Sequence, residues 1–305
     1  MLISSTNSSK ETYTNNSLSN LLNQVIEKIE DAKEKKKNNK QEQDKNTNDT
    51  SVEISVNTNS LSSKIGLGYN AHYRMLNSRQ KKLYIALYAK KSDFIAGRDI
   101  NLKPLKLLAG NFTTDDTFKV ISAIMNDHPE FFYICTQNKG SNNTAYMTYG
   151  VSSNKISFSN LRPKLKTELN TINIKAKAVL AVAKTKIGDY NKIKYVHDWL
   201  VNNMNYTHNN AGINGFILGK GQCMTYAHMF QYLMNELGID CIYVVSTDGS
   251  HAWNRVKVNG KWYMIDVCWD DEYSTNKYFL KGKSTEAYPV KNDAYYPSLS
   301  KTNYK

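Results

Sequence analysis

The chain has 305 residues, of which 40 are Lys or Arg and 27 Asp or Glu, a net charge of +13 with 40% hydrophobic residues. That is room for one large domain or two small ones, and no apolar run approaches the ~18 residues a membrane-spanning helix needs. Residues 1–64 carry nine lysines and nine acids, so the whole excess of positive charge falls on the rest of the chain. A basic folded surface attracts polyanions: an anionic cell-wall polymer, acidic peptide stems of peptidoglycan, an acidic protein or nucleic acid. The alternative is charge that serves solubility alone. No nucleic-acid-binding motif is present and the 21 tyrosines are scattered, so specific nucleic-acid recognition is not expected.

Residues 1–16 are mostly Ser, Thr and Asn. Met1-Leu2-Ile3 leads into them without the basic and apolar regions of a signal peptide, which leaves a cytoplasmic protein or one whose signal has been removed. Leu18, Leu21, Leu22, Val25, Ile26 and Ile29 then mark an amphipathic helix, followed by a charged linker from Lys33 to Asp49. Val52, Ile54 and Val56 alternate like a short edge strand. The segment 1–64 is expected to be polar and largely disordered around that one helix, which serves as a surface helix or a partner-binding segment.

From 65 to 160 an α+β supporting region is expected. Ser78 to Lys91 reads as a helix, and a second follows the cap and acidic first turn of Thr114-Asp115-Asp116, ending at His128-Pro129. Strands are expected at Phe131 to Thr136, Ala145 to Val151 and Lys155 to Phe158. Pro163 opens a long helix to about Lys186, with Leu165, Leu169, Ile172, Ala176, Val179 and Val182 facing inward. Gly188 breaks it, and Tyr190 to Met204 forms the next. Within that helix His197 and Asp198 are adjacent, and adjacent helical residues do not share a face, so His197 is read as bracing the core near Trp199. His72, His128, His208 and His228 have no partner evident in the sequence and are read as structural or surface residues. His208 to Gly215 reads as a flexible polar loop placed to overhang a cleft at the start of the next helix.

Gly219-Lys220-Gly221-Gln222 runs into a helical pattern with Ala227, Phe230, Met234 and Leu237 on one stripe and Gly238 at the stop. Cys223 therefore stands at a helix N-terminus, where unpaired N–H groups and the helix dipole favour the nucleophilic thiolate. The other cysteines are Cys135, Cys241 and Cys268, and no CxxC or metal-ligand spacing exists, so neither a zinc site nor a disulfide framework is expected. Cys241 and Cys268 lie in apolar strand-like runs and read as buried small hydrophobes.

Asn259-Gly260, between two strand-like runs, is a strong hairpin signal with both turn residues at positive φ. That register sets Val258 opposite Lys261, Trp253 opposite Asp266 and His251 opposite Cys268. His251 and Asp266 are then diagonal neighbours on one face, a separation of roughly 7–8 Å that two side chains can close. The candidate constellation is Cys223 as nucleophile, His251 as base and acid, and Asp266 holding the imidazole. Cys268 is the rival nucleophile, disfavoured as a mid-strand cysteine without a helix N-terminus. Trp253 and Trp262 either wall this site or pack in the core.

These pieces resemble the transglutaminase-like superfamily: Asp189-Tyr190-Asn191-Lys192-Ile193 into His197-Asp198-Trp199-Leu200-Val201, then Gly221-Gln222-Cys223-Met224-Thr225-Tyr226-Ala227, Leu237-Gly238-Ile239, His251-Ala252-Trp253-Asn254 and Lys261-Trp262-Tyr263-Met264-Ile265-Asp266. Asn126-Asp127-His128-Pro129-Glu130-Phe131-Phe132 is similar to a turn that precedes the core in bacterial members. The sequence departs from the pattern at Thr225, where Gly or Ser is more usual, at Cys268, where Thr is, and after Tyr278-Phe279-Leu280. The resemblance implies an α+β fold with a papain-like core over 161–305, its catalytic Cys on a helix packed against an antiparallel sheet carrying His and Asp. It implies the roles stated above for Cys223, His251 and Asp266, no cofactor and no metal. It also implies acyl transfer at amide bonds through a thioester: hydrolysis of cell-wall peptides or proteins first, protein crosslinking from Gln to an amine as the alternative. A third reading is a binding or scaffold module with a silent site. A secreted or cell-envelope location is the family's tendency, with a cytoplasmic one the alternative. The Cys223 N–H is one oxyanion donor; the second is not identifiable, Gln222 being too close in sequence to assign.

Overall fold

The computed structural model describes residues 70–131, 134–136, 147–159, 165–208, 213–286 and 288–305. The expected helix from Leu18, the strand from Val52 to Val56, the helix start at Pro163 and residues 209–212 of the polar loop lie outside the described residues. The chain packs as two units. One takes Leu76–Ile121 and Val151–Ser157; the other takes the described parts of Leu67–Met75, Ser122–Gly150 and Phe158–Lys305.

Helix α1 (Ala71–Arg74) belongs to the second unit. The first unit opens with α2 (Ser78–Tyr88), capped reciprocally: Asn77 Oδ1 accepts the Gln80 N–H at 2.9 Å and Gln80 Oε1 accepts the Asn77 N–H at 3.1 Å. Its buried stripe is Leu83, Tyr84 and Leu87. Helix α3 (Lys91–Ala96) ends on Gly97 at φ 62, a left-handed stop that favours glycine. Strand β1 (Ile100–Asn101) and helix α4 (Lys103–Ala109) follow.

Helix α5 (Thr114–Asp127) is capped one residue earlier than its sequence suggests. Thr113 Oγ1 accepts the Asp116 N–H at 3.0 Å while the Asp116 carboxylate accepts the Thr113 N–H at 3.0 Å. After it Pro129–Phe131 form a single 3-10 turn, so the strand expected from Phe131 starts later, as β2 (Ile134–Thr136), parallel to β3 (Met147–Val151). Strand β4 (Lys155–Ser159) returns to pair antiparallel with β1 through Ile100 and Ile156.

In the second unit α6 (Leu165–Lys184) buries Ile172, Ala176, Val179, Leu180 and Ala183. Val182, expected to face inward, is 42% exposed because the buried stripe runs through Leu180 and Ala183 instead. Helix α7 (Asp189–Asn203) starts after Gly188. Strand β5 (Asn205–Tyr206) is joined through α8 (Ile213–Leu218) to the parallel β6 (Lys220–Gly221), so the end of the expected loop is helical.

Helix α9 (Cys223–Glu236) then packs on a three-stranded antiparallel sheet of β7 (Cys241–Val245), β8 (Ala252–Val258) and β9 (Lys261–Ile265), in the order β7-β8-β9. Asn259 at φ 50 and Gly260 at φ 76 make the two-residue turn, and Val258 pairs with Lys261. The β9 run does not continue as a strand: α10 (Val267–Glu272) follows, and the C-terminal segment lies along the sheet through Met264 with Lys281 and Trp262 with Ser300.

Candidate active site

Two short parallel bridges set the approach to Cys223. Tyr206 pairs with Gly221, and the N–H groups of Asn205 and Thr207 donate to the carbonyls of Gly219 and Gly221, each at 2.9 Å. The close approach needs glycine: a Cβ on Gly221 would lie 2.6 Å from the Thr225 Cβ. Gln222 is the N-cap residue of α9, its carbonyl accepting from the N–H of Thr225 at 2.9 Å and of Tyr226 at 3.2 Å. Cys223 is thus the first helical residue. Its own N–H and that of Met224 have no acceptor within the helix and point from its positive end.

The hairpin brings the other two residues to the same place. His251 stands immediately before β8 and Asp266 immediately after β9, both at the end of the hairpin away from its turn. His251 Nε2 and Asp266 Oδ2 are 2.5 Å apart, and the second carboxylate oxygen accepts the Trp269 N–H at 3.1 Å. Asp266 is wholly buried and His251 nearly so, its side chain 11% exposed. With Nε2 committed to Asp266, Nδ1 is the ring nitrogen that serves Cys223, which lies within hydrogen-bonding reach of the imidazole. The backbone of His251 is held by Ser246, whose Oγ accepts its N–H at 3.0 Å.

Burial by itself works against a charged imidazole, but the Asp266 carboxylate and the Cys223 sulfur outweigh it and hold His251 up to about 9. Burial likewise raises the Asp266 carboxyl above its ordinary range, while the hydrogen bonds from His251 and Trp269 pull the other way.

Cys268 is not in a strand. Asp266 caps α10, so Cys268 sits in the first turn of that helix. Asp at an N-cap position was the available signal; the continuous apolar run of Trp262 to Ile265 masked it. Cys268 remains a poor nucleophile for a different reason from the one expected: it is buried, and burial followed by the charge of Asp266 pushes its thiol far up. Trp262 does not wall the site, since it pairs with Lys257 toward the turn end of the hairpin and packs on the core around Met264. Trp253 does lie against His251, stacked at 5.6 Å.

Several residues of the site escaped the sequence reading. Trp269 stacks on the His251 ring at 4.4 Å and 13°, and Tyr288 packs on both. A cleft of about 270 Å³ opens at Cys223, lined among others by Tyr206, His208, Gln222, Met224, Tyr243 and His251. Tyr206 hydroxyl meets His208 Nδ1 at 3.2 Å, and burial raises its phenol pKa, so it stays a hydrogen-bond donor. Gln222 spends its amide on the His208 carbonyl, tying down the segment that follows β5.

A thiol at a helix N-terminus, laid against an antiparallel hairpin whose open end presents an imidazole and a buried carboxylate, defines a papain-like cysteine site on an α+β core. Residues 176–267 match the model of the transglutaminase-like superfamily, a stretch that holds Cys223, His251 and Asp266. Two solved structures are similar over part of the chain. A TGase aligns at TM-score 0.26 and 17% identity, covering 40% of this chain and 44% of its own. A proposed cysteine protease from Cytophaga hutchinsonii aligns at TM-score 0.27 and 16% identity, covering 38% of this chain and 51% of its own. The chain thus spans about half the length of each. A comparison with curated proteins returns no match.

Proposed function

We propose that this protein is a cysteine-dependent amide hydrolase working through a thioester. The observation that carries the reading is the constellation itself: Cys223 at the start of α9, beside an imidazole raised by a buried carboxylate, at the mouth of a solvent-reached cleft. In the reaction the Cys223 thiolate attacks the amide carbonyl, forming the C–S bond and a tetrahedral oxyanion. The His251 imidazolium gives its proton to the departing amine as the C–N bond breaks. Water then attacks the thioester, His251 takes its proton, and the C–S bond breaks to release the carboxylic acid and restore the Cys223 thiolate beside the imidazolium. Asp266 keeps the ring oriented and stabilises its charge throughout.

Two donors face the oxyanion. One is the Cys223 backbone N–H; for the second we assign the Tyr206 hydroxyl, since Tyr206 pairs with Gly221 through the backbone and lines the same cleft as Cys223. We favour hydrolysis over transfer to an amine because the cleft is open to solvent and sets Tyr206, His208, Gln222 and Ser250 beside Met224, Val245 and Ala252, which gives water a path to the thioester.

The test is intact-mass analysis of casein incubated with wild type and with Cys223→Ala. Fragments, or the small mass gain of deamidation, that require Cys223 are the expected result. An adduct formed with an added primary amine at the expense of hydrolysis would make the protein a crosslinking enzyme instead. If iodoacetamide also fails to label Cys223 in a His251-dependent way, the site is silent and the reading falls to a binding module.

A further inference from the structure

A second buried histidine–carboxylate pair lies behind the site, and neither partner has a place in the reaction above. His197 on α7 has no exposed side-chain surface, nor does Asp270 on α10. His197 Nε2 meets Asp270 Oδ2 at 3.0 Å and Nδ1 meets Asp198 Oδ1 at 2.9 Å. The adjacent Asp198 does reach the ring, contrary to the expectation that neighbours on a helix stay apart. A histidine with a carboxylate at each nitrogen must donate from both and so be an imidazolium. Burial opposes that charge, but the two aspartates outweigh it and raise the ring's pKa. Lys194, at 2.5 Å from Asp198, completes a row of alternating charges, and Phe279 covers the ring edge-on at 4.9 Å. Buried ion pairs add little stability over apolar packing of the same volume, so stability alone is a weak reason for one.

The geometry supplies a stronger reason. Helix α10 has only six residues, far below the ~12 at which a helix holds itself, so its anchors fix its position. Asp270 is the anchor: besides His197 it accepts the Tyr278 N–H at 2.9 Å, and its own N–H donates to the Asp266 carbonyl at 3.1 Å. Asp266 and Asp270 are four apart, the carbonyl of the first bonded to the amide of the second, so a shift of Asp270 moves Asp266 with it. Asp266 is the group that holds His251.

We propose that His197 is a positioning residue of this site, acting through Asp270 to hold α10 and with it the Asp266 carboxylate against His251. The inference rests on the proposed cysteine chemistry. A displacement of about 1 Å at a supporting group is enough to cost about 100-fold in rate, although the group touches no substrate.

The test compares wild type, His197→Gln and Asp270→Asn by the pH profile of Cys223 alkylation with iodoacetamide, by kcat and KM on the amide substrate, and by thermal unfolding. Expected is a fall of about tenfold in alkylation at pH 6 relative to the same variant's rate at pH 9.5, with kcat lowered and KM unchanged, as for loss of a residue that orients a ligating or catalytic group. A folded variant with the wild-type profile and kcat but a lower unfolding temperature overturns the proposal, since His197 would then only brace the fold. Should His197→Gln fail to fold, Asp270→Asn decides alone, because its amide keeps the volume and the acceptor for Tyr278. Failure of the cysteine chemistry itself shows separately, as a wild-type Cys223 whose labelling is indifferent to His251→Ala.

Discussion

Asp266 reaches His251 with one carboxylate oxygen and the first turn of the following helix with the other, so the residue that orients the imidazole is also a helix cap. The two duties separate by substitution. Asn caps a helix about as well as Asp, so at pH 10, where the imidazolium no longer contributes, Asp266→Asn should match the wild-type stability, whereas Asp266→Ala should lower it by about 1 kcal/mol. Both should lower kcat by about 10³–10⁴, because an uncharged partner neither stabilises the imidazolium nor fixes its tautomer. Calorimetry beside steady-state rates checks this. Asn with near-wild-type turnover would remove Asp266 from the mechanism.

The His251–Asp266 pair also sets a pH dependence. The imidazole is raised from 6.5 unfolded to about 9 folded, so its contribution to stability is complete below pH 6.5 and is lost as pH rises through 9. That rise amounts to about 3 kcal/mol for this nearly buried ring. Urea unfolding of wild type and His251→Ala between pH 6 and 10 should show the two stabilities converging. The same ionisation places the alkaline limb of kcat/KM near pH 9, since the leaving amine needs the imidazolium proton. A limb at pH 7 would contradict the pairing.

How far the sequence carried this can be read from three places. Asn259-Gly260 fixes the hairpin register locally, and through it the ends at which His251 and Asp266 stand. The glycines before Cys223 and the apolar stripe after it locate the helix start just as locally. The cap at Asp266 is hidden because an apolar strand-like run and a capping aspartate compete over the same few residues, and the packing of α10 against α7 and α9 decides between them. Trp269 and Tyr288 were illegible for another reason: their rings meet His251 across a long stretch of chain, for which no local period exists.

Tyr206 yields a prediction that its neighbours do not. As an oxyanion donor it acts only when the carbonyl carbon becomes tetrahedral. Tyr206→Phe should therefore lower kcat by about 10²–10³ with little change in KM. Alkylation of Cys223 by iodoacetamide, a displacement with no oxyanion, should proceed at the wild-type rate. Equal losses in both measurements would mean the hydroxyl holds the cleft together through His208 rather than serving the reaction.

The acid side of the stability profile should belong to another histidine. His228 lies on α9, buried and stacked face to face on Tyr243 at 4.3 Å, and its Nδ1 has no hydrogen-bond partner among the described residues. Burial, with a further contribution from the nearby His72, depresses its pKa from 6.5 to about 3. The folded state thus refuses a proton that the unfolded chain accepts, so this ring's neutral form costs nothing above pH 6.5 and stability falls below it, by up to about 1.4 kcal/mol per pH unit until pH 3. The sign is opposite to that of His251, and the two together place the maximum near pH 6.5. His228→Phe keeps the stack on Tyr243 and removes the titration. Its unfolding midpoint in urea should stay level from pH 6.5 to 4 where wild type declines, and because Tyr243 lines the cleft, Cys223-dependent turnover should also persist to lower pH. An unchanged acid slope in His228→Phe would shift the cause to the carboxylates.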